Sequence, residues 1–338
     1  RAGKTKPLDL TWLPRHNPAR ALAFIERYCS VVEGRTPGPV TLYPWQKSLL
    51  RELFAKDRPR QYFLSCPRKN GKSFLAACAA LYAFLADGEH GAQVLCIGPT
   101  APQARIIFLA CRRMVMANRE LMAACLVDAH SIRDPETNSM LTYKTIAPAG
   151  SAGSGDERLQ GFRPTFAVAD EVHVYQTRDA WDAILAGQAT VERPILFGTT
   201  TPGDDEHSLA YELYVAVKDG RMSGRLYEPD DPDCAIADEK AWKQANPALG
   251  GFLQRVAIEE ELRTLPEHHF RRYRLGQWVA TGTAWLPIAT WKELESEIDV
   301  PPETRIFLGF DGSLARDSTA LVGCTEENHI FVLGHWEA

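Results

Sequence analysis

The segment Cys66–Ser73, with the sequence Cys-Pro-Arg-Lys-Asn-Gly-Lys-Ser, constrains the fold more than any other part of the chain. It follows the apolar run Tyr62–Leu64 and precedes a long helical run, so we predict a strand, a tight loop and a helix in that order. Such a loop presents backbone N–H groups and the positive end of the helix dipole to an anion. We therefore expect Lys72 to reach the β- and γ-phosphates of a nucleotide and Ser73 to hold Mg²⁺. Because Cys66 replaces the usual first glycine, a basic surface turn before a core helix is the alternative.

A second motif ends in two adjacent carboxylates. The apolar run Thr165–Ala169 predicts a buried parallel strand, and Asp170 and Glu171 follow it. At the ligand edge of a parallel sheet, Asp170 is expected to bind Mg²⁺ and Glu171 to polarise the attacking water. An ordinary strand that ends in a solvated acidic turn is the alternative, which the phosphate-binding loop upstream disfavours.

The spacing of these two motifs indicates the class of nucleotide-binding fold. Lys72 and Asp170 lie too far apart in sequence for neighbouring strands joined by one helix, and Gln93–Gly98 between them predicts another core strand. Met140–Ile146 alternates like a strand or a hairpin arm. An extra strand between the motifs and a glutamate beside the metal-binding aspartate are typical of motor-type NTPases. We predict an α/β fold: a P-loop NTPase of this motor type with a mainly parallel sheet.

A third predicted strand, within Pro194–Pro202, ends in three threonines. In a parallel sheet its end lies at the same edge as the other two motifs. The hydroxyls of Thr199 and Thr200 are therefore expected to contact a γ-phosphate or its attacking water. The alternative is a threonine-rich turn that caps the next helix.

Composition narrows the possible partners. The formal net charge is −5, which does not suit a protein that coats DNA statically but allows local basic patches, with candidates at Arg112–Arg113 and Arg271–Arg274. For both patches a solvated helix face is the alternative, and it is slightly favoured. The eight cysteines form no C-x-x-C pair, which argues against disulfides and zinc. The apolar run Phe74–Ala86 is too short to span a bilayer, so no membrane association is expected.

Together these motifs resemble the large terminase subunit of tailed bacteriophages, the ATP-driven motor that packages DNA into proheads. The resemblance extends from about residue 40 onward. Besides the missing first glycine, it rests on five features of the sequence. They are an adenine-recognition element (Leu42–Gln46), a loop arginine (Arg68), a coupling motif (Thr199–Thr201), a helical linker (Ala241–Gly250) and the end of that linker (Gly276–Trp278).

The resemblance implies ATP hydrolysis coupled to translocation of double-stranded DNA, with ATP and Mg²⁺ as cofactors. It implies a ring of identical subunits that works with a portal protein and a small terminase subunit, in the host cytoplasm and transiently at the portal vertex of the prohead. The residues implied for nucleotide binding are Gln46, Arg68, Lys69, Asn70, Gly71, Lys72 and Ser73. Those implied for the metal and for catalysis are Ser73, Asp170, Glu171, Arg68, Thr199 and Thr200.

Ring motors of this kind usually take an arginine finger from a neighbouring subunit. Arg105 is the candidate because it lies at the start of the helix after the strand that ends at Gly98. Arg158 and Arg163 are alternatives, and a surface arginine on an ordinary helix is the competing interpretation of Arg105.

The C-terminal part predicts a new strand, within Thr304–Ser313, that carries Asp311 near its end. It resembles the first strand of an RNase H-like nuclease, in which this aspartate binds a divalent metal, Mg²⁺ or Mn²⁺. Further carboxylates are needed for two-metal hydrolysis, so we expect an incomplete site, a truncated nuclease domain and no nuclease activity from the chain as given. The expected domains are an N-terminal arm (1–40), the ATPase domain (41–228), a helical linker (229–300) and the start of the nuclease domain (301–338).

Two other functions remain open at this stage. One is a helicase-like ATPase that remodels single strands, although nothing after residue 230 resembles the second ATPase-like domain that it would normally carry. The other is a DNA-binding or structural module with a degenerate phosphate-binding loop. The intact set of Lys72, Ser73, Asp170 and Glu171 argues against it.

Overall fold

The structure is a computed structural model that describes residues 5–34, 37–146, 159, 161–279, 294, 300–312 and 318–336. The chain divides into two compact units, residues 1–281 and 282–338. Each unit is described by itself. None of the described helices is both long and apolar enough to cross a membrane.

The first unit contains ten helices and ten strands among its described residues. The helices are α1 (Ala19–Tyr28), α2 (Pro44–Leu53), α3 (Lys72–Leu85), α4 (Ala101–Ala117), α5 (Arg119–Ala124), α6 (Asp179–Gly187), α7 (Leu209–Lys218), α8 (Glu239–Ala245), α9 (Arg255–Thr264) and α10 (Glu267–Arg274). The strands are β1 (Ser30–Val31), β2 (Gly38–Pro39), β3 (Gln61–Ser65), β4 (Gln93–Gly98), β5 (Leu126–Val127), β6 (Ser131–Asp134), β7 (Ser139–Thr145), β8 (Phe166–Asp170), β9 (Ile195–Thr200) and β10 (Ser223–Leu226). A 3-10 helix, Val172–Val174, follows β8.

The centre of this unit is an eight-stranded sheet with the order β10-β3-β9-β8-β4-β7-β6-β5. The strands from β10 to β7 pair in parallel, and β7-β6-β5 are antiparallel, so the α/β class and the mainly parallel sheet are confirmed. The phosphate-loop strand β3 and the acidic strand β8 are not neighbours, as expected. The strand that separates them is β9, however, and not β4 (Gln93–Gly98), which lies on the far side of β8. All the predicted motifs still meet at one edge because the carboxyl ends of parallel strands point the same way.

Helix α3 is buried on every side, which explains why its sequence is apolar all round. It packs against α1, α4 and the sheet. The structure differs here from the predicted N-terminal arm (1–40). Helix α1 buries Phe24, Ile25 and Tyr28 in the same apolar core as α3, because its apolar residues recur at helical spacing on one face.

The helices α8 to α10 form a small second core around Trp242, Ile258 and Phe270. This helical segment belongs to the first unit, whose boundary lies near residue 281. The predicted boundary at residue 228 between the ATPase domain and the helical linker stays a prediction. A buried pair of asparagines joins the segment to the phosphate-binding loop. Asn70 donates from Nδ2 to Asn246 Oδ1 (2.9 Å), and its Oδ1 accepts from the backbone N–H of Ala248 (3.1 Å).

The described part of the second unit is a three-stranded antiparallel sheet of β11 (Ile306–Asp311), β12 (Thr319–Thr325) and β13 (Ile330–Trp336). Strand β11 ends at Asp311, as the sequence predicted, and this residue is paired in register with Ala320. No group of three or more His, Cys, Asp or Glu residues with metal-binding geometry occurs among the described residues. The metal-binding role of Asp311 therefore stays a prediction.

Replacement of Asn246 by alanine is expected to lower the free energy of unfolding by about 1–3 kcal/mol, because it leaves buried hydrogen-bonding groups without partners. Asn246 also donates to the carbonyls of Trp242 and Arg274, so the loss affects both the loop and the helices. Urea unfolding measures the change. The surface amide Gln254→Ala is the matched control, with an expected change within about 0.5 kcal/mol.

The double variant Asn70→Ala with Asn246→Ala should lose less stability than the sum of the two single variants, because each single change already breaks the shared bond. Strictly additive losses would contradict a coupling between the loop and the helical segment through this pair.

Candidate nucleotide-binding site

A cleft of about 590 Å³ lies where the loop after β3 faces the ends of β8 and β9. Six of the predicted residues line it: Arg68, Lys69, Gly71, Lys72, Ser73 and Glu171. Gln103, His173 and Thr201, which the predictions did not select as site residues, line it as well. The two sequence motifs therefore face one another across a single concave site.

The loop between β3 and α3 adopts an unusual backbone conformation. Lys69 (φ 66°) and Gly71 (φ 82°) are left-handed, and Gly71 is the N-cap of α3. Alternation of right- and left-handed residues turns successive N–H groups toward one side, which makes a concave anion site. Cys66 stands in place of the usual glycine, and its side chain is fully buried. Burial raises the pKa of the Cys66 thiol to about 12, so it stays neutral beside Lys72.

The ammonium group of Lys72 is buried and satisfied by three oxygens. Its Nζ donates to the carbonyls of Cys66 (2.6 Å) and Pro67 (3.0 Å) and to Thr201 Oγ1 (3.1 Å). A buried charge requires such partners. The first two lie in the loop and the third lies just beyond β9, so Lys72 holds the loop against the threonine strand.

Asp170, at the end of β8, bonds both to the start of α3 and to β9. Its Oδ2 accepts from Ser73 Oγ (3.0 Å), and its Oδ1 accepts from Thr199 Oγ1 (2.5 Å) and from the backbone N–H of Glu171 (3.1 Å). A hydroxyl oxygen and a carboxylate oxygen at this separation are the hard oxygen donors that Mg²⁺ prefers. The predicted pair of Ser73 and Asp170 therefore fits that ion chemically.

Glu171 lies beside this pair in a strained backbone conformation. Its φ and ψ are 54° and 46°, a left-handed region that residues other than glycine seldom occupy. Burial and the neighbouring Asp170 carboxylate raise the pKa of Glu171 above its usual value. Strain and a perturbed pKa are both common at catalytic residues.

The three threonines at the end of β9 have different partners. Thr199 donates to Asp170, and Thr200 donates to the carbonyl of Thr201 (2.8 Å). Only Thr201 Oγ1 contacts Lys72 and lines the cleft. Thr199 and Thr200 were the predicted contacts to phosphate or water. In this structure they face Asp170 and His173, and Thr201 is the threonine nearest Lys72.

Arg68 points along the loop to the helical segment. Its guanidinium lies 3.7 Å from the ring centroid of Tyr273, and its backbone N–H donates to the Tyr273 carbonyl (3.2 Å). The three arginines of the basic run Arg271–Arg274 form ion pairs within the chain: Arg271 with Glu267, Arg272 with Asp204 and Arg274 with Glu261. Arg112 and Arg113 have partners too, the Asp128 carbonyl and Glu33. The Arg271–Arg274 patch is thus paired with carboxylates throughout, whereas in the other patch only Arg113 has a carboxylate partner.

Two predicted nucleotide-binding side chains bond to the protein. Asn70 is fully buried, donates to Asn246 and is not among the residues that line the cleft. Gln46 is buried as well, and its Oε1 accepts from the Tyr43 N–H (2.9 Å) in a capping box at the start of α2. Tyr43 packs edge-on against Phe252, which in turn lies over Gly71. Sequence reasoning missed Phe252 because nothing in its local pattern links it to the loop.

Arg105 is exposed on α4, 5.7 Å from the ring centroid of Tyr143. Arg163 instead donates to both the hydroxyl (2.9 Å) and the carbonyl (2.8 Å) of Thr190 in its own chain. Arg158 lies outside the described residues. Of the described candidates, Arg105 is therefore the one better placed to reach a neighbouring molecule.

Comparison with known proteins identifies the family of the chain. The family described as the terminase large subunit, ATPase domain, matches residues 41–219, just over half of the chain. The terminase large subunit of Enterobacteria phage HK97 is 30% identical over 320 residues, which cover 90% of this chain and 61% of that protein. The large subunit of Lactococcus phage p2 is 23% identical over 280 residues, covering 77% and 50%. The chain thus spans about half to three fifths of the length of these relatives.

Solved structures give the same result. The crystal structure of the HK97 large terminase superimposes with a TM-score of 0.65 and 26% identity, covering 94% of this chain and 67% of that one. The large terminase of a thermophilic bacteriophage, in complex with ADP, has the same fold, with a TM-score of 0.52 at 14% identity and coverage of 88% and 69%. The site motifs lie within the matched range 41–219, and the chain belongs to the family of terminase large-subunit ATPase domains.

Proposed function

We propose that this chain hydrolyses ATP and that hydrolysis drives double-stranded DNA into a prohead. The observation that carries the proposal is the hydrogen bond between Ser73 and Asp170, with Lys72 and Glu171 beside it around one cleft. Membership of the terminase ATPase family supports it, as does the ADP in the related large terminase of the thermophilic bacteriophage.

The phosphate groups of ATP would lie along the loop, at the N-terminus of α3. Lys72 would exchange its loop carbonyls for β- and γ-phosphate oxygens, since a charge-assisted bond to an anion is stronger than a bond to a neutral carbonyl. Ser73 and Asp170 would hold Mg²⁺, which when bound neutralises phosphate charge. Glu171 would accept the proton of the attacking water, and its raised pKa brings its basicity closer to neutrality.

Arg68 can join this site at small cost. Its contact with Tyr273 is on an exposed surface, where a cation–π contact contributes about 0.5–1 kcal/mol. Hydrogen bonds to charged groups contribute about 1.5–3 kcal/mol. A γ-phosphate would therefore draw Arg68 away from the helical segment, and this movement would let the residue sense bound nucleotide.

The remaining parts of the proposal concern the whole packaging machine. They comprise a ring of subunits, a portal protein, a small terminase subunit, action at the portal vertex in the host cytoplasm, and a nuclease in which Asp311 binds Mg²⁺ or Mn²⁺. The pairing of Arg271, Arg272 and Arg274 with carboxylates favours weak, local contacts with DNA phosphates, which a motor that must release DNA requires.

The chain should hydrolyse ATP, and Lys72→Ala should lower kcat by about 10²–10³-fold because it removes a positive charge from the developing phosphate charge. Glu171→Gln should slow turnover by about 10²–10⁴-fold, the usual contribution of a general base, but still bind nucleotide. Steady-state phosphate release and a mant-ATP titration measure the two effects.

Matched controls for these variants lie on the exposed surface at Lys56→Ala and Glu192→Gln, and both should turn over ATP like the unmodified chain. Unchanged turnover in Lys72→Ala, or equal losses in the variants and their controls, would contradict the proposed site.

If Arg105 is a finger supplied in trans, Arg105→Ala should lose most of the turnover of the assembled ring, because such fingers contribute about 10³–10⁵ in rate. Mixing Arg105→Ala with Lys72→Ala should restore part of the activity, since one variant then supplies an intact site and the other an intact finger. ATPase rates across protein concentration measure this.

The matched variant is Arg163→Ala, whose arginine is held by Thr190 in its own chain. Mixing Arg163→Ala with Lys72→Ala should not raise the ATPase rate above the sum of the rates of the two variants measured separately. Complementation by Arg163→Ala and none by Arg105→Ala would move the finger to Arg163.

A further inference from the structure

His173 follows Glu171 by two positions, in the short 3-10 helix after β8, and is mostly buried. Its Nδ1 atom lies 3.2 Å from Glu171 Oε2 and 3.0 Å from Thr200 Oγ1. Its backbone N–H also donates to Thr200 Oγ1 (3.1 Å). One imidazole nitrogen therefore contacts both the catalytic carboxylate and the threonine strand.

The surrounding hydrogen bonds determine which nitrogen of His173 carries the proton. Thr200 has a single hydroxyl hydrogen, which it donates to the carbonyl of Thr201 (2.8 Å), so its oxygen can only accept. An ionised Glu171 carboxylate can also only accept. Nδ1 must therefore be the N–H donor, shared between the two oxygens, and Nε2 is left without a hydrogen.

The imidazole is neutral in this position. Burial lowers the pKa of His173 to about 4, and the cationic side chains of Arg272, Lys72 and Arg68 act in the same direction. The contact with Glu171 is therefore a hydrogen bond from a neutral ring and not an ion pair.

We propose that His173 is a positioning residue for ATP hydrolysis: its Nδ1–H fixes the Glu171 carboxylate and ties it to Thr200. The inference rests on the proposed function, since it assigns Glu171 the role of base. Thr200 is followed by Thr201, which contacts Lys72, so the same short stretch of chain fixes the base and the phosphate-binding lysine relative to each other.

The need for such a contact follows from the Glu171 side chain. A glutamate has several rotatable bonds and loses side-chain entropy when it is held in one rotamer. A general base must come within about 2.6–3.2 Å of the proton that it removes. Without the hydrogen bond from His173, the carboxylate would sample positions from which it cannot reach the water.

His173→Ala should therefore lower kcat by about 10- to 100-fold, the scale expected when a reacting group is displaced by about 1 Å. The dissociation constant for mant-ATP should stay nearly unchanged, because His173 is not assigned a contact to nucleotide. His173→Asn, whose short amide can place an N–H near the Nδ1 position, should recover most of the lost rate. His173→Gln, whose amide reaches the Nε2 position, is the matched control and should not.

A second test asks whether His173 acts through Glu171. Adding His173→Ala to Glu171→Gln should cause no further loss of single-turnover rate, since the base is already absent. Additive losses, a loss confined to mant-ATP affinity, or equal rates for the asparagine and glutamine variants would overturn the inference in favour of a merely structural role.

A third measurement does not depend on turnover. Two-dimensional ¹⁵N spectra of the histidine-labelled chain report the tautomer of each ring, and the His173 signals are assigned as those missing in His173→Asn. The Nδ1–H tautomer at neutral pH is expected, and the Nε2–H tautomer or an imidazolium would overturn the inference. Absence of ATP turnover in the unmodified chain, together with the Nδ1–H tautomer, would instead contradict the proposed function while leaving the hydrogen bond established.

Discussion

The site depends on one buried carboxylate. Asp170 is 3% exposed and would be costly to bury without partners. It finds them on three elements: the Ser73 hydroxyl at the start of α3, the Thr199 hydroxyl on β9 and the N–H group of Glu171. Satisfying this one charge therefore draws the phosphate-binding loop, the threonine strand and the acidic strand into register.

The helical segment completes the site from a distance in the sequence. Asn246 and Ala248 hold the Asn70 side chain, and Tyr273 holds Arg68 by both its ring and its carbonyl. Two consecutive parts of the phosphate-binding loop are thus bound by helices that carry no nucleotide-binding motif of their own. The conformation of the loop and the packing of α8 to α10 therefore depend on each other, since neither can change without breaking the buried hydrogen bonds of Asn70 to Asn246 and Ala248.

The sequence was sufficient to predict that the motifs share one edge, because parallel strands bring their carboxyl ends together whatever their order. It was not sufficient to predict the order itself: β9, and not β4, separates β3 from β8, and no local pattern records which crossover goes to which side. The prediction that residues 1–40 form an arm was wrong for α1, because a short amphipathic helix has the same sequence pattern whether it is packed or free. Asn246 and Tyr273 were missed as loop contacts because only tertiary packing brings them to the loop. His173 is different, since its place two positions after Glu171 was visible and only its partner on β9 was not.

The left-handed backbone of Glu171 has a consequence for how this site can change over time. For a side chain of this kind the conformation costs about 1–2 kcal/mol, whereas glycine adopts it freely and asparagine tolerates it. Substitutions that suit the backbone best at this position are therefore those that remove the carboxylate proposed as the base, and selection for that proposed role would oppose them. In a lineage that kept the fold but abandoned the chemistry, this glutamate would be among the first residues to disappear, well before the lysine and the aspartate on which the packing of the site relies.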